Sequence, residues 1–170
     1  MVEKHFVAVN FRLTHSGSFS LYGLFDLVDH WAEEHHYHKE IKRHYEHHKP
    51  DGKELGYSLE LWKHINAQVV AIVRFTVMVK RLKDVTITVG GKKEKAQHGD
   101  VFIDLDSLLE RHKLHQFENK PYIYFIRSVI DRFMYKNLMD MHEGELTADI
   151  KGFHDRLRSF LQKEEVKRIA

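Results

Sequence analysis

Cysteine is absent from this chain of 170 residues, and proline occurs only twice. Without cysteine there is no disulfide framework, thiol nucleophile, iron–sulfur cluster or zinc site built on thiolates. No apolar run reaches the roughly 18 residues that a membrane-spanning helix needs. The charged start, Met1 to His5, leads directly into an alternating pattern, which is not typical of a signal peptide. We therefore expect a cytoplasmic protein.

The remaining composition is that of a folded domain. Hydrophobic residues make up 42% of the chain and charged residues 31%, and the formal net charge is +2. Length and apolar content are sufficient for one sizeable core. We predict a single domain over residues 1–170, with a frayed tail from 162 to 170.

The spacing of the apolar residues changes twice in the first third of the chain. Apolar residues alternate over 5–13, which predicts a strand, and the polar segment Thr14–Ser18 predicts a turn with Ser18 or Ser20 as the helix N-cap. From Leu21 they recur every three or four residues, which predicts a helix ending near residue 38. Residues 39–48 fit a strand or a continued helix. The turn residues after Lys49 favour a strand and a hairpin.

The middle of the chain predicts more antiparallel strands. Val69–Leu82 is apolar on both faces in its first half, and Val85–Val89 alternates up to the turn signal Gly90-Gly91. A lysine-rich strand follows, and a last strand ends near Arg111.

The C-terminal third is predicted to be helical. Asn119 is a candidate cap and Pro121 suits the first helical position. Gly144 and Thr147 predict an interruption between two long helices. The fold class is therefore α+β, an antiparallel sheet packed against long C-terminal helices.

This element order resembles the helix-grip arrangement of the START and Bet v 1-like superfamily. There, a curved sheet wraps a long C-terminal helix around an apolar cavity. The resemblance covers nearly all of the chain and is one of topology, with no diagnostic motif. The family usually has two short helices after the first strand, whereas this sequence predicts one. The segments 82–93 and 121–133 also look like segments common in small archaeal proteins without an assigned function.

The resemblance implies binding of a lipid or another apolar small molecule. An excess of aromatic residues on the sheet and the C-terminal helix supports this hypothesis, although they could also fill a core or an oligomer interface. The candidate ligand-binding residues are Trp62, Phe75, Phe102, Tyr124, Phe125 and Phe133.

Basic residues concentrate between Arg74 and His98, a segment that contains seven basic and two acidic residues. Such a hairpin could bind nucleic acid or an anionic membrane, but lysines that protect a strand edge are the commoner explanation. The candidate residues for an anionic partner are Arg74, Lys80, Arg81, Lys92, Lys93 and Lys95.

Histidine is unusually frequent, with fifteen in the chain and seven between His30 and His48. Imidazole is the commonest metal ligand, and Glu34, His35 and His38 lie at helical spacings that could chelate. His30 and His35 are five residues apart and point away from each other on a helix. We therefore predict no metal or other cofactor, and keep those three residues as weak candidates.

Three functions remain open after these observations. The first is non-catalytic binding of an apolar small molecule between the sheet and the C-terminal helix. The second is a structural or adaptor protein that forms a homodimer through its aromatic helix and contacts anionic partners with the basic hairpin. The third and least favoured is a histidine-dependent metalloenzyme.

Overall fold

The fold, in a computed structural model that describes residues 2–112 and 121–169, is α+β. Its elements are β1 (Val2–Phe19), α1 (Leu21–Glu34), β2 (His38–Lys49), β3 (Gly52–His64), β4 (Val69–Val89), β5 (Lys92–His112) and α2 (Pro121–Ile169). The five strands form one sheet in the order β1-β5-β4-β3-β2, and every neighbouring pair is antiparallel. The predicted fold class is thus confirmed at this level, with two helices.

The sheet has an inner face, covered by α1 and the second half of α2, and an outer face. Register places Leu61, Val73 and Phe75 on the inner face, and all three are fully buried. α2 contributes an apolar stripe to this core. Its members are Leu146, Ile150, Phe153, Leu157 and Leu161. Their spacing of three and four residues is that of one helix face, and the helix is therefore held by the sheet rather than by its own propensity.

The ends of the helices follow from local chemistry. The Ser20 side chain accepts a hydrogen bond from the Gly23 amide at 3.0 Å, which confirms Ser20 as the N-cap of α1. α1 ends at Glu34, earlier than the predicted residue 38. α2 begins at Pro121, as predicted, whereas the candidate cap Asn119 lies outside the described residues. The helix continues to Ile169, through the segment predicted to fray.

Two predicted interruptions are wrong. Thr14–Ser18 is not a turn but part of β1, because β5 pairs with it continuously and Ser16 donates a hydrogen bond to Asp100. α2 does not break at Gly144, and the Thr147 side chain finds its hydrogen-bond partner within the helix. The Thr147 hydroxyl donates to the Glu143 carbonyl oxygen at 2.7 Å. The C-terminal helices are therefore one helix of 49 residues.

The strands of the middle segment are also longer than predicted. Residues 69–82 and 85–89 form one strand, β4, with a β-bulge between Lys80 and Lys83. Arg81 absorbs the irregularity with a φ of 54°. The lysine-rich strand and the last strand likewise join as β5. The predicted hairpins at Lys49–Lys53 and Gly90-Gly91 are both present.

Candidate interaction surfaces

Aromatic rings pack together between the sheet and the helices. The Trp31 ring stacks on Phe153 with centroids 4.2 Å apart and on Tyr37 at 5.1 Å. Phe75 lies 6.0 Å from the same Phe153 ring. Phe75, predicted to bind a ligand, is therefore a core residue in contact with α2.

The other candidate ligand-binding residues do not join Phe75. Trp62 lies on the outer face, where it packs against Val70, Ile72 and Leu108. Phe102 is on that face too and is exposed, with the Lys80 ammonium 5.6 Å from its ring centroid. The sheet therefore separates these two aromatics from Phe75.

The candidates on α2 lie on its first half. Phe125 is exposed, and the side chains of Tyr124 and Phe133 lie outside the described residues. A groove of about 390 Å³ between α1 and α2 is open to solvent. It is lined by Leu27, Asp155, Arg156, Ser159, Phe160 and Lys163, and none of these is a candidate ligand-binding residue.

Two buried polar atoms of the interior have no hydrogen-bond partner among the described residues. They are the Ser107 hydroxyl on β5 and the Trp31 indole nitrogen on α1, and both residues are almost fully buried. Buried polar groups in proteins nearly always have a partner, because leaving one without costs about 1–3 kcal/mol.

An exposed apolar stripe runs along the first half of α2. Tyr122, Phe125, Ile126 and Val129 follow the spacing i, i+3, i+4 and i+7, so they share one helix face. Their exposed fractions are 60%, 69%, 55% and 41%. The same spacing is buried against the sheet in the second half of the helix. We refer to these four residues as the aromatic stripe.

The basic candidates do not form one patch. Arg74 contacts Glu60 at 2.9 Å and Arg81 contacts Asp100 at 2.7 Å, so carboxylates neutralise both. Lys92, Lys93 and Lys95 are exposed at the start of β5, on the hairpin that ends at Gly90-Gly91. These three lysines therefore lie at the end of the hairpin and not within the five-stranded part of the sheet.

The weak metal candidates are held apart by other contacts. Glu34 pairs with Arg156 of α2, and the ring nitrogen Nδ1 of His35 lies 3.0 Å from the Trp31 carbonyl oxygen. His38 is on β2, with its ring centroid 4.6 Å from that of Trp62. In the described part of the chain, no three histidine or acidic side chains are placed to hold a metal ion.

One polar cluster had no signal in the sequence. Asp149 of α2 accepts hydrogen bonds from the Tyr37 hydroxyl at 3.2 Å and from the Lys63 ammonium at 3.0 Å. The ammonium also lies 4.4 Å from the centre of the Tyr37 ring. Burial and the Asp149 carboxylate raise the pKa of Tyr37, so its phenol stays neutral. The cluster joins α2 to the edge of the sheet formed by β2 and β3. Its members are 86 and 112 residues apart in sequence, which is why the sequence alone did not predict their contact.

A second ionic group lies on the outer face and has a predictable dependence on pH. Glu60 contacts Arg74 at 2.9 Å and Lys42 at 3.1 Å. Burial opposes ionisation of Glu60, but the two hydrogen-bonded cations outweigh it and lower the pKa of its carboxyl group below the ordinary 4.5. This contribution to stability is complete above pH 4.5 and is lost as the pH falls through the lower pKa of the folded state.

We therefore expect Glu60→Gln to lower the free energy of unfolding by about 0.5–1 kcal/mol at pH 7, with a smaller cost at pH 3. Urea unfolding at both pH values measures the difference. Glu94→Gln is the matched control, since Glu94 is exposed and outside every ion pair among the described residues. An equal cost at the two pH values would contradict the assignment.

Comparisons with protein families and with curated proteins find no match for this chain. Within residues 2–112 and 121–169, neither helix combines the length and the apolar content needed to cross a membrane.

Proposed function

We propose that this chain is a non-catalytic interaction protein that forms a homodimer through the aromatic stripe of α2. The observation that carries the proposal is the exposure of four apolar side chains on one face of a long helix. Exposed apolar stripes of this kind mark interaction sites in soluble proteins. Phe75 and Trp31 pack on Phe153 as core residues, which supports an interaction surface outside the core.

The charges on the first half of α2 favour a second copy of the chain as the partner that covers the aromatic stripe. Residues 121–140 carry three basic and two acidic side chains, so two such helices meet little net repulsion. A helix that lies on an anionic membrane is typically rich in lysine and arginine on its polar face, which this mixture is not. Two-fold pairing also brings the same stripe against itself, as in most homodimers.

The energetics suit a reversible dimer. Complete burial of an apolar side chain contributes roughly 1.5–3 kcal/mol. The stripe residues are 41–69% exposed, so the eight in a dimer can each still gain about half of that, roughly 6–12 kcal/mol in total. Association costs about 4–15 kcal/mol in lost translational and rotational freedom. The surplus is small, so we expect a dimer whose population depends on protein concentration.

Sedimentation velocity over a dilution series tests this proposal. We expect the wild-type chain to move from dimer to monomer on dilution, and the double variant Phe125→Glu/Val129→Glu to dissociate at concentrations more than tenfold higher. Buried glutamates without partners account for the loss. Tyr22→Glu is the matched control, because Tyr22 is an aromatic on α1 with an exposed fraction of 82%.

Two outcomes would overturn the dimer. One is a wild-type chain that stays monomeric at every concentration, and the other is a double variant that associates like the Tyr22→Glu control. Circular dichroism and the urea midpoint of each variant establish that it is folded.

The second candidate function is binding of an apolar small molecule in a helix-grip fold. The unpaired Ser107 hydroxyl and Trp31 indole favour it, since a ligand with a hydroxyl or carbonyl group would satisfy one of them. The strand order, with α1 after β1 and α2 across the inner face, supports the resemblance to that superfamily. Native mass spectrometry of the purified chain tests this function. A co-purified organic molecule would support it, and an unliganded spectrum would remove it.

A further inference from the structure

The β4–β5 hairpin extends beyond both of its neighbours. Pairing of β3 with β4 ends at Leu82, and pairing of β1 with β5 ends at Gln97. Beyond these residues the hairpin continues as two strands alone, from the pair Val85–Ala96 to the pair Val89–Lys92. Five paired positions give a length of about 15 Å. We call residues 85–96 the ribbon.

The two faces of the ribbon differ in chemistry. Register pairs Thr86 with Lys95 and Thr88 with Lys93, so these four side chains share one face, and all are exposed. Val85, Ile87 and Lys92 lie on the opposite face. One side of the ribbon is therefore a surface of hydroxyl and ammonium donors.

The ribbon lysines are not neutralised by the protein. Lys92, Lys93 and Lys95 form no ion pair within the described residues. On the sheet, by contrast, Lys42, Lys49 and Lys53 each contact a glutamate. Free ammonium groups at this density favour a partner that supplies several negative charges.

The tip of the ribbon is narrow and lacks a membrane anchor. Gly90 and Gly91 form the turn with φ values of 56° and 82°, which no side chain widens. Phe160 of α2 lies beside Gly23, near Gln97, whereas Glu143 pairs with His5, which lies opposite Leu109. The exposed aromatics precede Glu143 on α2, so they lie at the end of β5 that is remote from the ribbon. Proteins bind membranes most firmly where basic and apolar groups act together, and this chain separates them.

We propose that the ribbon binds double-stranded DNA by entering its major groove. This groove is about 12 Å wide and admits a two-stranded β-ribbon. The lysine ammonium groups and threonine hydroxyls of the donor face would donate to phosphate oxygens on the two sides of the groove. Duplex RNA fits less well, because its major groove is deep and narrow. Contacts to phosphates carry no sequence information, so the binding is independent of base sequence.

The site is separate from the dimer interface and does not require it. A dimer would present two ribbons and increase the apparent affinity through avidity. Binding by the Phe125→Glu/Val129→Glu variant therefore measures the ribbon alone, and failure of the dimer leaves this inference testable.

Fluorescence anisotropy with a labelled duplex of roughly 20 base pairs, about two helical turns, tests the inference. We expect Lys92→Ser/Lys93→Ser/Lys95→Ser to bind at least tenfold more weakly. The slope of log K against log salt should fall by up to about 1.8, because each lost phosphate contact contributes about 0.9 and only Lys93 and Lys95 of the three lie on the donor face. Lys39→Ser/Lys42→Ser/Lys49→Ser is the matched control, since it removes the same charge from β2 and should bind almost as the wild type does.

The result would overturn the inference if the wild-type chain did not bind the duplex, or if both triple variants lost affinity equally. An equal loss would mean that the duplex responds to the net charge of the protein and not to the ribbon. Duplex RNA and phosphatidylserine vesicles are the competing probes. Tighter binding to either one, lost in the ribbon variant, would also overturn the assignment to DNA.

Discussion

Replacement of Phe153 by alanine is expected to lower the free energy of unfolding by about 3–5 kcal/mol, the usual cost of removing a fully buried phenylalanine. Phe153 has no exposed surface, and its ring stacks on Trp31 of α1 and lies beside Phe75 of β4. It thus joins both helices to the sheet. Neighbouring rings are fixed by their own elements and cannot collapse into the space, so the cavity remains.

Urea unfolding followed by tryptophan fluorescence measures this change, because Trp31 is in direct contact with the substituted ring. Tyr22→Ala is the control. Truncation of an aromatic at this exposed position of α1 should change stability by less than about 0.5 kcal/mol. Equal effects at the two positions would mean that the second half of α2 does not close the inner face.

A valine at Gly99 is expected to cost about 1–3 kcal/mol, through overpacking against backbone atoms that cannot move aside. A Cβ atom at this position would lie 2.9 Å from the Lys80 carbonyl oxygen and 3.3 Å from the Leu82 Cα. Both atoms belong to the bulge of β4, where Arg81 has a φ of 54°. The substitution therefore strains the point at which the ribbon leaves the sheet.

Gly144→Ala is the control with the opposite sign. Nothing lies within 4 Å of a Cβ at Gly144, and the residue is in the interior of α2. Alanine there should raise stability by about 0.4–1 kcal/mol, because it restricts the unfolded chain and favours the helix. Urea midpoints of the two variants provide the comparison. A neutral Gly99→Val would show that the bulge does not approach β5 this closely.

Local chemistry was sufficient to predict the element types. The turn residues after Lys49 resolved the ambiguous segment 39–48 as a strand, and Gly90-Gly91 predicted the tip of the ribbon. The two interruptions that were predicted wrongly share one cause. At Thr14–Ser18 and at Gly144, residues with weak local preference take the structure of the element around them, because pairing with β5 and packing on the sheet outweigh propensity.

The distribution of the aromatic residues could not be predicted. Trp62 and Phe75 lie on adjacent strands, and register alone determines that they face opposite sides, since a shift of one residue exchanges the faces. Periodicity also identifies an apolar stripe on a helix without revealing what covers it. Phe125 and Phe153 belong to such stripes on the same helix, and only the structure separates the exposed one from the buried one.

The first half of α2 is expected to contact a second copy of the chain. The absence of cysteine allows one nitroxide label to be placed cleanly at Ser128→Cys, next to the aromatic stripe. Pulsed dipolar electron resonance should then give one resolved distance between copies, which disappears in the Phe125→Glu/Val129→Glu background. A signal that reports only isolated labels, at a concentration where sedimentation shows wild-type dimers, would contradict the claim.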